Sequence, residues 1–92
     1  MEKKNKILLI TTKGCAGCTI VKKLIEQAIE GSGIDVSFEQ KDFTDLDKKT
    51  IKKYRIKDFP TVFLIQNDVV KFSFTGTRPV VVIVQWIRVH LK

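Results

Sequence analysis

TTKGCAGCT, residues 11–19, contains Cys15 and Cys18, the two cysteines of this 92-residue chain, with Gly14 and Gly17 beside them. A pair with two residues between its members closes a tiny loop. Loop-closure stabilisation is smallest for short loops, so this pair cannot staple distant parts of a fold. It is either chemistry or a metal clip, and the flanking sequence decides which.

Just before the pair, KILLIT at 6–11 holds the continuous apolar run ILLI, the mark of a strand buried on both faces at a sheet centre. After it, residues 16–30 predict a helix. Val21, Leu24, Ile25, Ala28 and Ile29 follow the spacing of one buried face, and Lys22, Lys23, Glu26, Gln27 and Glu30 fall largely opposite. GSG at 31–33 stops the helix, because glycine accepts the left-handed C-terminal conformation at little cost. IDVSFE at 34–39 alternates, with Ile34, Val36 and Phe38 on one side, and predicts a half-buried strand near an edge. Thr44 is expected to cap a helix over 45–54, with Asp47 in the supporting position and Leu46, Ile51 and Tyr54 as its apolar contacts.

PTVFLIQ at 60–66 is a second central strand, and Asn67-Asp68 signals a tight turn. VVKFSF at 69–74 alternates through Val70, Phe72 and Phe74 and predicts an edge hairpin partner. In the tail RPVVVIVQWIRVHLK, β-branched residues favour a strand. Helical spacing nevertheless aligns Val80, Val84, Ile87 and Leu91 in one stripe, and Pro79 fits a first helical turn, so a helix is expected. The element order is β-α-β-α-β-β-α. A right-handed crossover makes the first two strands parallel. The burial pattern predicts an α/β fold with a four-stranded mixed sheet in the order 2-1-3-4 and helices on both faces. Tyr54 and Trp86 are expected in or beside the core.

Length and composition set the remaining bounds. Residues 1–92 are expected to form one domain, and 43% hydrophobic content suffices for a core without structural disulfides. The longest uninterrupted apolar runs, ILLI and VVVIV, are four and five residues, against roughly 20 for a membrane helix. Lysines precede an apolar patch at the N-terminus, but the patch is too short for a secretory signal. These features predict a cytoplasmic protein without membrane association, where thiols stay reduced and a close pair is catalytic or metal-binding. The net charge is +7, and many lysines crowd into DKKTIKKYRIK at 47–57. No aromatics interleave them as base stacking requires, so the segment reads as a solvated helix face and nucleic acid is not an expected partner.

Cys15 falls where the first strand ends and the first helix begins. A thiolate there meets unpaired backbone N–H groups and the positive end of the helix dipole, and Lys13 adds a nearby cation that tunes the thiol toward its ionised form. Cys18 lies one turn into the helix, facing back. Cys15 can attack a disulfide, and Cys18 can then displace the product and close the bridge. No cofactor beyond this redox-active disulfide is expected.

CAGC after a central strand, followed by YRIKDFPTVFLI and then Gly76, resembles the thioredoxin family over nearly the whole chain, in a short form lacking the extra N-terminal strand. The resemblance implies a thioredoxin-like fold and a protein-disulfide oxidoreductase with Cys15 as nucleophile and Cys18 as resolving thiol. It also implies a cis-proline at Pro60 facing the cysteines. The Phe59 backbone would pair with extended substrate, and Gly76, with Thr75 beside it, would let substrate backbone come close. The chain is expected to be a monomer, and the implied partners are disulfide-containing proteins and, as electron donor, a reductase or glutathione. Four positions depart from the family pattern. Ala16-Gly17 replaces the usual Gly-Pro, Gly14 replaces a tryptophan, and Leu9 stands where a buried aspartate assists proton transfer. With no carboxylate there, water, Lys13, Lys41 or Asp58 would have to serve Cys18. FTGTRP differs from the glutathione-binding segment of the related glutaredoxins, so protein disulfides are the expected substrates, although Arg78 could meet glutathione's carboxylates.

The rival reading is a small soluble carrier that holds Cu(I) or a similar soft metal through Cys15 and Cys18. Its fold would send the second strand straight into a hairpin, whereas TDLDKKTIKKY intervenes here as a predicted helix. A structural zinc site needs four ligands, and the lone His90 is expected on the surface of the last helix. A third reading is an adaptor with a vestigial pair, and the intact CxxC argues against it.

Overall fold

The computed structural model describes residues 4–92. Along the chain run β1 (Asn5–Thr11), α1 (Ala16–Ser32), β2 (Ser37–Asp42), a 3-10 turn (Phe43–Asp45), α2 (Lys48–Tyr54), β3 (Thr61–Gln66), β4 (Val69–Thr75) and α3 (Val80–His90). The four strands form one sheet in the order β2-β1-β3-β4. β1 and β2 are parallel, and β3 runs antiparallel to both β1 and β4. This is the architecture the sequence predicts, with several local corrections.

Helix α1 outlasts Gly31 and ends at Gly33, whose φ of 71° is the left-handed cap. Gly31 stays helical at a close approach to α3, where an added Cβ would lie 3.5 Å from the Val84 side chain. The Ser32 hydroxyl donates to the Ile29 carbonyl and accepts from the Ile34 N–H, closing the exit. β2 then starts at Ser37, three residues later than the alternation suggests, because its ladder with β1 runs from Lys6–Ser37 to Thr11–Asp42. Asp47, not Thr44, caps α2, accepting from the Thr50 N–H at 2.8 Å. Asp42 caps the preceding 3-10 turn through Thr44. Two short aspartate-capped turns therefore stand where one helix was expected.

The hairpin holds a correction that alternation alone cannot reveal. Asn67 and Asp68 have φ of 52° and 65°, the positive values of a twist-matched two-residue turn. Beyond it, the register shifts between Leu64 and Ile65: Leu64 pairs with Phe72, but Ile65 pairs with Val70. The extra residue, Lys71, is a bulge, and a bulge reverses the facing of the residues beyond it. Phe72 and Phe74 accordingly join one core, and Val70 joins the other.

Those cores lie on opposite faces of the sheet. Ile7, Leu9, Val62, Leu64 and Phe74 pack under α1 and α3, meeting Val21, Ile25, Ala28, Ile83, Ile87 and Leu91. Ile10 and Phe63 pack with Ile56 on the α2 face, where Ile51, Leu46 and Phe43 add partial cover. Burial decides the state of the tail. Ile83 and Ile87 are fully buried within α3, so packing overrides its β-branched propensity. The stripe is centred on these two residues, with Val80 and Val84 only partly buried. Pro79 is the N-cap, outside the first turn, and its carbonyl accepts from the Val82 and Ile83 N–H groups. Trp86 packs against Phe72 and Phe74 at 4.8 and 4.9 Å between ring centroids.

Candidate active site

β1 ends at Thr11, and the chain turns through Thr12, Lys13 and Gly14 to reach Cys15. Gly14 has φ of +76°, a conformation L side chains rarely adopt. A tryptophan here would be strained on this backbone. Cys15 is the N-cap of α1 with extended backbone, and its side chain makes no capping hydrogen bond. The first turn of α1 carries no acidic residue, so no carboxylate competes for the positive end of the helix. Cys15 and Cys18 are joined as a disulfide, with Cα atoms 5.5 Å apart. Cys15 is half-buried, and Cys18 is 8% exposed.

Two sides of this disulfide differ. On one side lies the loop before β3. The Phe59–Pro60 peptide bond is cis, and a Cβ at Gly17 would meet Pro60 Cδ at 3.6 Å and Thr77 Cγ2 at 3.9 Å. Both are ordinary contacts, so Gly17 is not a steric necessity, but they place Pro60 and Thr77 against the motif. The Gly76 N–H donates to the Pro60 carbonyl at 2.9 Å, and Gly76 turns with φ of +76°. Thr75, exposed at the end of β4, pairs with Thr61. Arg78 Nη1 would lie 3.5 Å from a Cβ at Gly76, which puts a guanidinium over this loop. Phe59 is half-buried and meets Phe43 edge-on at 5.1 Å.

On the other side a cleft of about 580 Å³ opens, lined by Thr11, Thr12, Gly14, Cys15, Ala16, Cys18, Thr19, Lys22 and Gln40. The buried Cys18 thus lines an opening to solvent. Thr19 and Lys22 follow Cys18 on the same helix and could have been inferred from its spacing. Gln40 could not, because only the parallel ladder sets it across from Leu9.

Leu9 is fully buried in the core beneath α1 and does not line the cleft. Neither do Lys13, Lys41 or Asp58. The Lys41 ammonium lies 3.6 Å from Glu39. Lys13 is exposed and close enough to Asp42 to contribute to its lowered pKa, although the hydrogen bonds from Thr44 are the larger cause. His90 is half-buried and stacks on Phe72 at 4.6 Å, not free on the surface as expected. Among the described residues no group of three or more His, Cys, Asp or Glu could hold a metal ion. β2 leads into the 3-10 turn and α2 rather than into a hairpin, so the fold required by the metal-carrier reading is not the one found.

A family model described as Thioredoxin domain matches residues 4–87. No curated protein matches the sequence. Among solved structures, thioredoxin-2 of the malaria parasite, described as a component of protein secretion machinery, superposes with a TM-score of 0.79 at 18% identity, covering 98% of this chain and 86% of that one. A mutant thioredoxin from Halobacterium salinarum gives 0.77 at 13% identity, covering 98% and 77%. Reduced Schistosoma mansoni thioredoxin pre-protein gives 0.75 at 22% identity, covering 96% and 80%. At these identities the likeness is one of fold. Among the described residues no helix is long and apolar enough to cross a membrane.

Proposed function

The chain belongs to the thioredoxin domain family, and from that premise we propose that it reduces disulfide bonds in proteins, with Cys15 as the nucleophile and Cys18 as the resolving thiol. The observation that carries the reading is the bonded pair at the N-terminus of α1, with the Pro60–Gly76 loops against one side. Membership and the pair together support thiol–disulfide oxidoreduction in general. The protein substrate and the division of labour are our reading.

The reduced form starts the cycle. The Cys15 thiolate, favoured by the helix N-terminus, attacks one sulfur of a substrate disulfide. A Cys15–substrate bond forms, the substrate S–S bond breaks, and the departing sulfur leaves as a thiolate and takes a proton from water. Cys18, deprotonated through the cleft, then attacks the Cys15 sulfur. The mixed disulfide breaks, the second substrate thiol is released, and the Cys15–Cys18 bridge forms. Two electrons have passed from the pair to the substrate. A reductase or two glutathione molecules would return them, and no further cofactor enters.

In this reading substrate lies across the Pro60 side. An extended peptide would pair with the Phe59 backbone, while Gly76 and the exposed Thr75 leave room for its main chain. Such chemistry suits a reducing compartment, and we place the protein in the cytoplasm as a monomer.

The assignment is tested by trapping. Cys18→Ser, presented with a disulfide-bonded protein, should accumulate a mixed disulfide on non-reducing gels. Cys15→Ser should accumulate none. Equal trapping by both variants would overturn the division of roles.

A further inference from the structure

We propose that the groove on the α2 face of the sheet binds a short acidic, amphipathic segment of a partner protein, independently of the redox reading above. The groove exists because cover runs out. α2 has seven residues and spans about 10 Å, whereas the seven residues of β1 run roughly 23 Å. Leu8, Ile65 and Val70 consequently stay only half-buried, and they floor a groove of about 160 Å³ walled by Thr50 and Tyr54.

Charge selects the occupant. At 3.6 residues per turn, Lys49 and Lys53 sit on the outer flank of the Thr50–Tyr54 row, while Ile51 turns toward the core. The Lys53 ammonium lies 5.3 Å from the centroid of the Tyr54 ring, which is part of the wall. Lys6 lies on the strand side of the groove, its ammonium 3.0 Å from Glu39. Among the described residues Lys48, Lys49, Lys52 and Lys53 make no ion pair, and Asp68 is the one acid lining the groove.

An aliphatic floor with a cationic rim fits apolar side chains flanked by carboxylates. It does not fit a single nucleic acid strand, which needs exposed aromatics to stack on: the aromatics lining the groove are Tyr54 and Phe63, and Phe63 is only 4% exposed. It does not fit a second copy, because two such rims on a chain of net charge +7 repel one another. The lysine-rich segment, otherwise only a solvated face, thereby gains a partner.

The probe is a synthetic helical peptide with leucines on one face and glutamates elsewhere, titrated into the isotope-labelled full chain and followed by amide chemical shifts. Saturable shifts should cluster at Leu8, Thr50, Tyr54, Ile65 and Val70. K49E/K53E should weaken binding at least about tenfold while activity on a small disulfide is unchanged. Should that variant not fold, K49Q/K53Q reads the same loss. Val70→Thr, nearly the same shape, should weaken binding about threefold with charge untouched. Lysine-for-glutamate and serine-for-leucine versions of the peptide should both bind poorly. The proposal is overturned if no saturable shift appears, or if the variants bind like the parent. Two further outcomes reassign the groove: tighter binding of an oligothymidylate at these residues, or self-association through them.

Discussion

On one face of the sheet, the 17 residues of α1 and 11 of α3 seal Ile7, Leu9, Val62 and Leu64 to zero exposure. On the other, seven residues of α2 leave Leu8, Ile65 and Val70 half-open, and the buried apolar residues of that core are Ile10, Ile56 and Phe63. On the proposed reading, the reacting parts are divided between these environments. The cysteines ride on α1, fixed to the thick face. The Phe59–Pro60 loop follows α2, and Phe59 anchors on Phe43 within the thin core. In that reading the nucleophile is fixed to the thickly covered face, while the loop that would pair with substrate is anchored on the smaller core, and segments over small cores open more readily.

Large-to-small substitutions in the two cores should break or confirm this contrast most visibly. Ile25→Ala, on the thick face, should cost about 2–5 kcal/mol, as fully buried aliphatic residues do. Ile51→Ala, half-buried on the thin face, should cost about 1–2 kcal/mol. Urea denaturation of both variants measures the difference, and equal losses would abolish the distinction.

Leu9 sharpens the comparison by tying it to the chemistry. It points into the thick core, so no carboxylate reaches Cys18 from β1. Burial disfavours a thiolate, so release of the mixed disulfide should be slow at pH 7 and accelerate toward about pH 9, while attack by Cys15 is already near its plateau. Leu9→Asp should speed release at pH 7 while costing about 2–4 kcal/mol of stability. Stopped-flow kinetics on a small disulfide separates the two steps. Fast, pH-independent release in the parent would mean that the cleft already supplies an efficient base.

The smallest effect belongs to the caps of the thin face. The hydrogen bonds between Asp47 and Thr50 hold the Asp47 carboxyl below its ordinary range, and those with Thr44 do the same for Asp42. A depressed carboxylate pKa contributes stability that is present above the unfolded value and lost as pH falls through the folded one. Asp47→Asn should therefore differ from the parent at neutral pH, and the gap should close on acidification below the ordinary aspartate range. Amide exchange within α2 should report the same change while α1 stays protected. A gap that widens on acidification would contradict the capping role.

The order of elements, the 2-1-3-4 sheet and the place of the cysteine pair were legible in the sequence because they rest on local signals. Continuous apolar strands such as KILLIT and TVFLI, one helical stripe from Val21 to Ile29, and glycine or Asn-Asp at the ends each state their own geometry. The start of β2 at Ser37 was not legible, because it is set by what β1 offers across the ladder. Nor was the bulge at Lys71, which moves Val70 to the opposite face from Phe72: alternation reads the same whether or not a residue is skipped. Asp47 displaced Thr44 as the cap because only one of two adjacent aspartate turns continues as a helix.

At the site, the sequence by itself supplied Cys15, Cys18 and their helix terminus, and the resemblance supplied Pro60 and Gly76. Tertiary structure alone brought Thr77 to Gly17 and Gln40 to the cleft. It also left the α2 face half-covered. Local propensity and periodicity act over one or two turns of chain, so sequence states them directly. Which distant surfaces meet, and which stay bare, depends on the relative lengths and registers of elements that exist only once all of them have packed.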